Sequence, residues 1–515
     1  MRPSLLAILL VGTGGLLYAS AFPPHACDLA AWVALAPLLA VAARATRGGA
    51  FAAGFAYGTL FFAATVPWVV AAVDAYFDAG PLGAVAVAAA ICVLFVSVYV
   101  GLFAVAARAV LATGPWRALV GVPALWVTFE YARATLLTGL PWELLGHSQW
   151  QRIALIQVAD LGGVYALSFI VAAVNVGTYL ALRALVLVES PRRVARAAAP
   201  LAAALGLVGA VLAYGGARVR AEQAGAPAPA VRVAVVQGNH PTRLAWDRGD
   251  AERRLMTYVG LSRETLRDAQ PDLVVWPEYA VGLYPAAEPA IVTALARLAA
   301  ETRGGLIFGA PRMDAAATPA RYFNAAYHLA PGGRLAAYDK MRPVPFAEYW
   351  PLGIRAAHAD EDARTFGAGT RSGVFTSAAG RLGALICYES IFPDLARALV
   401  HAGAEVLVNV SNDGWLDSAG LGAGAQHLSI TAFRAVETRR FVVRAATSGI
   451  SGFIDPLGRP FALLAAGTRG VTTAAIAPRR DQTFYARYGD CFAGACALIA
   501  LAAVVPAGRR ARSAR

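Results

Sequence analysis

The chain runs to 515 residues, of which 58% are hydrophobic and 15% charged, with a mean hydropathy of +0.54. Soluble domains carry about 25% charged residues, so this balance excludes an ordinary soluble protein and points to the membrane class. The net charge of +13 does not signal nucleic acid: residues 215–487 hold 30 basic against 24 acidic residues with no basic cluster, and the rest of the excess lies in short loops and the C-terminal tail.

Apolar stretches recur from the start, at 4–22, 28–43, 50–73, 81–107, 118–132, 164–188 and 197–214, and again at 489–506. A bilayer span needs about 20 mostly apolar residues. The expectation is therefore about eight spans: a seven-helix transmembrane bundle over 1–214 and a C-terminal helix over 488–507. The second and fifth stretches are short and are weakened by Pro37 and Glu130. The first reads as an anchor, because no small-x-small cleavage site follows it. Arginines set the orientation. With the N-terminus inside, the inner loops carry Arg44, Arg47, Arg108, Arg117, Arg183, Arg192, Arg193 and Arg196, and the tail at 508–515 adds four more. The outer loops carry only Arg133 and Arg152. This positive-inside pattern places the tail in the cytoplasm and residues 215–487 on the extracytoplasmic side.

Residues 215–230, rich in Ala, Gly and Pro, read as a linker. From 231 to 487 strand and helix patterns alternate. Strands are predicted at 231–237, 273–276, 306–308, 324–329, 334–338, 382–386, 406–410, 441–444 and 450–454, with helices at 251–269, 291–302, 393–402 and 426–438. Strands that are apolar throughout are buried on both faces, so a layered α/β sandwich is expected.

Two residue counts draw attention to chemistry. Of five cysteines only Cys387 lies outside the apolar segments or their edges, and the set forms no disulfide framework. The chain holds 44 arginines and a single lysine, Lys340. Where any cation would serve this sequence uses Arg, so the exception suggests a confined site that needs a compact ammonium. Three residues close strand patterns: Glu278 ends LVVWPE, Lys340 ends RLAAYDK, and Cys387 ends the apolar run of LGALICYES. Ligands of α/β sheets bind at the carboxyl ends of strands, so distant positions of this kind can converge. Taken singly, each is also what an ordinary buried strand end or loop cap looks like.

Together, WPE, YDK and ICYE resemble the nitrilase superfamily, whose members use Glu, Lys and Cys to make a thioester acyl-enzyme. Seven spans before such a domain and one after it resemble the apolipoprotein N-acyltransferase family. Further matches are VVQGN at 235–239 followed by Trp246, Phe346-Ala347-Glu348, SNDGW at 411–415, and the segments GLPWELLGHSQW and IQVADLGGVYALSF. His147 and Leu416 stand where the family pattern has Tyr and Phe, which touches acyl-chain or donor preference rather than the triad. The resemblance implies Cys387 as nucleophile, Glu278 as its base, and Lys340 with the Tyr388 backbone N–H as oxyanion donors. It further implies Glu348 near the thiol, Glu389 orienting the pocket, Asn324, Trp246 and Trp415 in substrate binding, and a mobile arm around 341–368. The implied partners are a phospholipid acyl donor, a diacylated apolipoprotein acceptor and the bilayer. The implied setting is the bacterial inner membrane, as a monomer with its catalytic domain on the periplasmic side.

No cofactor and no metal are expected, since His240, His328, His358, His401 and His427 have no ligand spacing and no glycine-rich phosphate loop is present. Two other readings stay open at this stage. One is a membrane-tethered nitrilase-like amidase with the same triad. The other is a polytopic transporter or receptor, for which Glu130 is the sole acidic residue clearly within a span. Lys340→Arg tests the special role of the lone lysine. The planar guanidinium cannot occupy the same point, and turnover of the folded variant is expected to fall by about 10²-fold or more, measured against wild type.

Overall fold

A computed structural model of the chain describes residues 3–77, 80–187, 191–225, 230–240, 247–345, 347–349, 365–415 and 422–513. Contacts divide the chain into two compact units. One comprises Met1–Asp74, Ala79–Gln223 and Tyr488–Arg515; the other comprises Ala75–Asp78 and Ala224–Arg487.

The first unit is helical. Three of its helices among the described residues are long and apolar enough to cross a membrane: Gly80–Leu111, Ala159–Val186 and Ala198–Gly225. Arg47–Thr65 and Trp68–Asp74 add a fourth if taken as one span bent by 70°. The bend falls at Val66-Pro67, where proline removes a ladder donor. Ser4–Ser20, Asp28–Ala42 and Cys491–Val505 are apolar but shorter, and Pro115–Thr135 carries Arg117, Glu130 and Arg133. The two charges deep in that helix are in use. Glu130 Oε1 accepts from the Leu145 N–H at 2.6 Å, and Arg133 Nη1 donates to the Trp142 carbonyl at 2.9 Å, tying the helix to the loop that follows it.

One expectation is corrected here. Helix Pro191–Gly225 continues through 215–225, which the Gly and Pro content had marked as linker. Arg, Ala, Glu and Gln in GARVRAEQAG are good helix formers, and Gly215 and Gly216 lower that propensity without ending the helix. Residues 226–229 of the expected linker lie outside the described residues.

The second unit holds two six-stranded sheets. In chain order the strands are β1 (Val231–Gln237), β2 (Leu273–Val275), β3 (Leu306–Asp314), β4 (Arg321–Leu329), β5 (Leu335–Asp339) and β6 (Val374–Ser377). They continue as β7 (Gly380–Ile386), β8 (Val406–Ser411), β9 (Val442–Ala446), β10 (Ser451–Ile454), β11 (Pro460–Leu464) and β12 (Gly470–Ile476). One sheet has the order β12-β1-β2-β3-β4-β5 and the other β11-β10-β9-β8-β7-β6. β1, β2 and β3 run parallel, as do β7, β8 and β9.

Period-two alternation sorts the residues of the central strands. Val233 and Val235 share one apolar cluster with Ala384, Ile386, Val408, Val410 and Val443 of the other sheet. The intervening Ala234 and Val236 join Trp276 and Phe308 in a cluster with Tyr258 and Leu266, and with Leu295 and Leu298, from helices Arg248–Ala269 and Pro289–Ala300. With both faces covered, the central strands had to be apolar throughout, which made them legible. Three strands were not anticipated: β6, β11 and β12. β6 and β11 end one sheet and β12 ends the other, and β11 and β12 are half-exposed, so no strong periodicity marks them.

Close helix packing in the first unit depends on small residues. A methyl carbon placed on Gly54 would stand 2.8 Å from Ala104 Cβ, and one on Gly58 would stand 3.0 Å from Ser97 Cα. Gly54→Leu is therefore expected to destabilise the helical unit by about 1–3 kcal/mol. Thermal unfolding in detergent checks this, with Gly12→Leu, at a position with open space around it, leaving the midpoint unchanged.

Candidate active site

The three strand-end residues of the sequence meet in the second unit. Glu278 lies just beyond β2, Lys340 directly follows β5, and Cys387 directly follows β7. Each is placed by backbone bonding. The Lys340 N–H donates to the Asn324 carbonyl of β4 at 2.8 Å, extending the β4–β5 ladder to the lysine itself. Glu278 is seated by Gly309 of β3, whose N–H donates to the Pro277 carbonyl at 3.0 Å. A Cβ at position 309 would stand 2.5 Å from Glu278 Cα, so only glycine admits the glutamate's backbone there. Cys387 has φ +48° and opens the short 3-10 turn Cys387–Ile391. A non-glycine residue held in this region costs on the order of 1–3 kcal/mol, which the surrounding bonds must offset.

The side chains form one buried cluster. Lys340 Nζ lies 2.8 Å from Glu348 Oε2 and 3.5 Å from Glu278 Oε1. Asn324 Nδ2 donates to both carboxylates, to Glu278 Oε1 and to Glu348 Oε1, each at 2.6 Å. The remaining oxygens accept backbone N–H groups: Asn412 N reaches Glu278 Oε2 at 2.7 Å, and Val344 N reaches Glu348 Oε2 at 2.6 Å. Asn324 Oδ1 is buried and has no protein partner among the described residues.

Two carboxylates share one ammonium, and this sets the electrostatics. Burial works against the charged Lys340, but Glu348 and Glu278 outweigh it and hold the ammonium above its ordinary range. Burial raises Glu278, Lys340 restrains that rise, and Glu348 adds to it. Burial likewise pushes the Cys387 thiol up, with the Glu278 charge adding and the Lys340 charge opposing. The resting site thus pairs a neutral thiol with a carboxylate whose proton affinity is raised, the arrangement a general base and nucleophile need.

Glu389 is fully buried and cross-links the ends of β5 and β7. Its Oε1 accepts from Tyr338 Oη at 2.8 Å, Met341 N at 2.7 Å and Arg342 N at 3.2 Å, while Oε2 accepts from Ile386 N at 2.7 Å. It therefore fixes the segments that carry Lys340 and Cys387 relative to each other. Burial raises its pKa to about 6 against those lowering bonds.

A second buried network was not singled out from the sequence. Arg444 of β9 donates to Asn409 Oδ1 and Asp413 Oδ2, and Nη2 lies 3.1 Å from His427 Nδ1. His427 Nε2 is 2.7 Å from Ser390 Oγ. Burial raises Asp413, but Arg444 and His427 outweigh it and hold the carboxyl well below the usual carboxylate range. Burial and Arg444 lower His427. A signal was present: Asn in VLVNVS and Arg in VVRAA are polar residues inside strands that otherwise read as fully buried, and buried polar groups are paired.

Of the remaining expected site residues, Tyr388 follows the cysteine and packs its ring on Phe392, 4.9 Å between centroids. Trp246 and the side chain of Trp415 lie outside the described residues, as do residues 346 and 350–364 of the expected arm. Among the described residues no cluster of three or more His, Cys, Asp or Glu could hold a metal ion.

A Glu-Lys-Cys cluster at the strand ends of two packed sheets defines the class: a carbon–nitrogen hydrolase of the nitrilase type. Residues 232–484 match the family described as carbon-nitrogen hydrolase, and residues 14–177 match the apolipoprotein N-acyltransferase N-terminal domain. The apolipoprotein N-acyltransferase of Geobacter metallireducens is 35% identical over 513 residues, covering 98% of this chain and 95% of the relative. That of Methylococcus capsulatus is 34% identical over 95% of this chain and 94% of its own length, and that of Pseudomonas aeruginosa 34% over 71% and 69%. The chain belongs to the apolipoprotein N-acyltransferase family.

Glu389 yields a pH prediction. Its folded pKa of about 6 lies above the ordinary 4.5, so folding favours its protonated form. The associated stability is full below pH 4.5 and is lost as pH rises through 6, a change of about 2 kcal/mol. Glu389→Gln is expected to be less stable throughout, because it loses acceptors, but to lack this slope. Unfolding midpoints measured at intervals between pH 4.5 and 7 test the difference between the two curves.

Proposed function

We propose that the protein transfers a fatty acyl chain from a phospholipid, through a thioester on Cys387, to the α-amine of an N-terminal diacylglyceryl-cysteine in a lipoprotein. The observation that carries this reading is the buried Glu278–Lys340–Glu348 cluster set at strand ends with Cys387, in a chain whose other unit consists of apolar helices. Lipid substrates explain why one polypeptide joins the two.

The Cys387 sulfur attacks the ester carbonyl as Glu278 takes the thiol proton. The carbonyl electrons move to an oxyanion held by Lys340 Nζ and the Tyr388 N–H. The intermediate collapses, the glyceryl oxygen leaves with the proton from Glu278, and a lysophospholipid departs. The lipoprotein amine then attacks the thioester, Glu278 removes its proton, and sulfur leaves as the restored thiol. Each oxyanion donor is worth about 10²–10³ in rate. Glu348 holds Lys340 charged and in place, Glu389 fixes the β5 and β7 ends, and Asn324 orients both carboxylates while offering a buried acceptor oxygen to substrate. Trp246 and Trp415 guide the lipid, and a phosphatidylethanolamine-type donor fits the reading.

In this proposal the first 214 residues cross the bilayer about seven times, a nitrilase-like α/β sandwich occupies 231–487, and residues 488–507 return the chain to a basic cytoplasmic tail. The arginine asymmetry and the apolar stretches support this topology. It places the catalytic domain of a monomer on the periplasmic side of the bacterial inner membrane.

Intact-protein mass spectrometry after incubation with a defined phospholipid tests the reaction. Wild type is expected to gain one acyl group, labile to hydroxylamine, and Cys387→Ala none. Glu278→Gln should acylate at least about 10²-fold more slowly. A folded wild type that never acylates, yet hydrolyses short soluble amides, would establish the tethered amidase instead.

A further inference from the structure

The buried network behind the nucleophile converges on one atom. Arg444 is fully buried in β9 and stands opposite Asn409 of β8 in the strand register. Its Nη1 donates to Asn409 Oδ1, and Asn409 Nδ2 in turn donates to the Cys387 carbonyl at 3.3 Å and to the Leu385 carbonyl at 3.2 Å. A second arm leaves the same guanidinium. Nη2 faces His427 Nδ1 at 3.1 Å. The same Nδ1 lies 3.3 Å from Asp413 Oδ1, so it stands between a group that only donates and one that only accepts, with Arg444 the nearer of the two. On its other side His427 Nε2 lies 2.7 Å from Ser390 Oγ. Ser390 Oγ lies 3.2 Å from the Cys387 carbonyl and 3.0 Å from Thr431 Oγ1, whose own proton goes to the His427 carbonyl at 2.7 Å. Both arms lead from Arg444 to the carbonyl of Cys387; in the His427 arm, the tautomer with its proton on Nε2 leaves the Ser390 hydroxyl free to donate to that carbonyl. Asp413 Oδ2 pairs with the same Arg444 Nη2 and neutralises the guanidinium.

A trans peptide is planar, and its C=O and N–H point in opposite directions. Whatever holds the Cys387 carbonyl therefore aims the N–H of Tyr388. Cys387 also has φ +48°, a conformation that this residue does not prefer and that needs such restraint. We infer that Asn409 and Ser390, oriented by Arg444 and His427, are positioning residues for the oxyanion hole: they lock the Cys387–Tyr388 peptide plane so that the Tyr388 N–H faces the developing oxyanion. In this role all four act through the peptide plane. The inference rests on the acyl-enzyme reading proposed above, in which that N–H is a donor.

The full chain, acylated from a phospholipid carrying a ¹³C label at the acyl carbonyl, supplies the test. A hydrogen-bonded thioester carbonyl absorbs at lower wavenumber than a free one, so isotope-edited infrared spectra report the donors directly. Asn409→Asp preserves size and an acceptor for Arg444 but removes the N–H that holds the Cys387 carbonyl. Its acyl-enzyme band is expected to move back towards the free thioester, with acyl transfer to the lipoprotein amine slowed by about 10²-fold. Ser390→Ala, which leaves Asn409 and Arg444 in place, is expected to shift the band the same way by less, and it carries the test if Asn409→Asp does not fold or acylate. A role limited to stability would lower the unfolding midpoint and leave the band of the acylated fraction unmoved. Wild-type band and transfer rate in both folded variants would overturn the positioning role alone. A wild type that forms no acyl-enzyme would overturn the underlying reading, and the inference with it.

Discussion

A single ammonium buried between two carboxylates is the constraint around which the second unit is arranged. Removing Lys340 from water is costly, and Glu278 and Glu348 repay that cost only while all three stay in register. Every backbone bond to the cluster serves that register. Asn324 bridges the two glutamates, Asn412 and Val344 give their N–H groups to the outer oxygens, and the β4–β5 ladder delivers the lysine. The two carboxylates outweigh burial and hold the Lys340 ammonium above its ordinary range, while burial raises Glu278 against the restraint of Lys340. The same arrangement thus stabilises the cluster and leaves one of its carboxylates with a raised proton affinity.

The second sheet meets a different demand. Cys387 must leave β7 in a strained conformation and stay there, and the surrounding polar groups are arranged to that end. Glu389 holds the strand end before it, while Asn409 and Ser390 hold the carbonyl of Cys387 itself. Arg444 and Asp413 deeper in the sheet complete the charge balance. A fully buried arginine is tolerated here because nearly all its donors have acceptors, which is the condition buried charge requires.

Much of this was legible beforehand, for identifiable reasons. Central strands buried on both faces must be continuous apolar runs, and β1, β2, β7, β8 and β9 were found on that ground. β6, β11 and β12 stand at sheet ends with partial burial and weak apolar patterns and were missed, whereas the end strand β5 was found. Gly and Pro content marked 215–225 as linker, whereas the intervening Arg, Ala, Glu and Gln keep the helix going. Glu278, Lys340 and Cys387 stood out because each closes a strand pattern, and because Lys340 and Cys387 are rare in their surroundings. Arg444 and His427 did not, since one arginine among 44 and one histidine without metal spacing carry no signal of their own.

The sequence by itself determined the division into an apolar helical part and an α/β part, and singled out Glu278, Lys340 and Cys387 with the strand ends on which they sit. These depend on local periodicity and composition, which each segment displays without its neighbours. Only the tertiary structure decided which glutamate holds the lysine more closely, that Asn324 serves both carboxylates, and that Asn409, Ser390, His427 and Arg444 converge on the cysteine's backbone. Those relations join residues far apart along the chain. They follow from strand register and sheet packing, and a buried hydrogen bond leaves no periodic trace in the segments it connects.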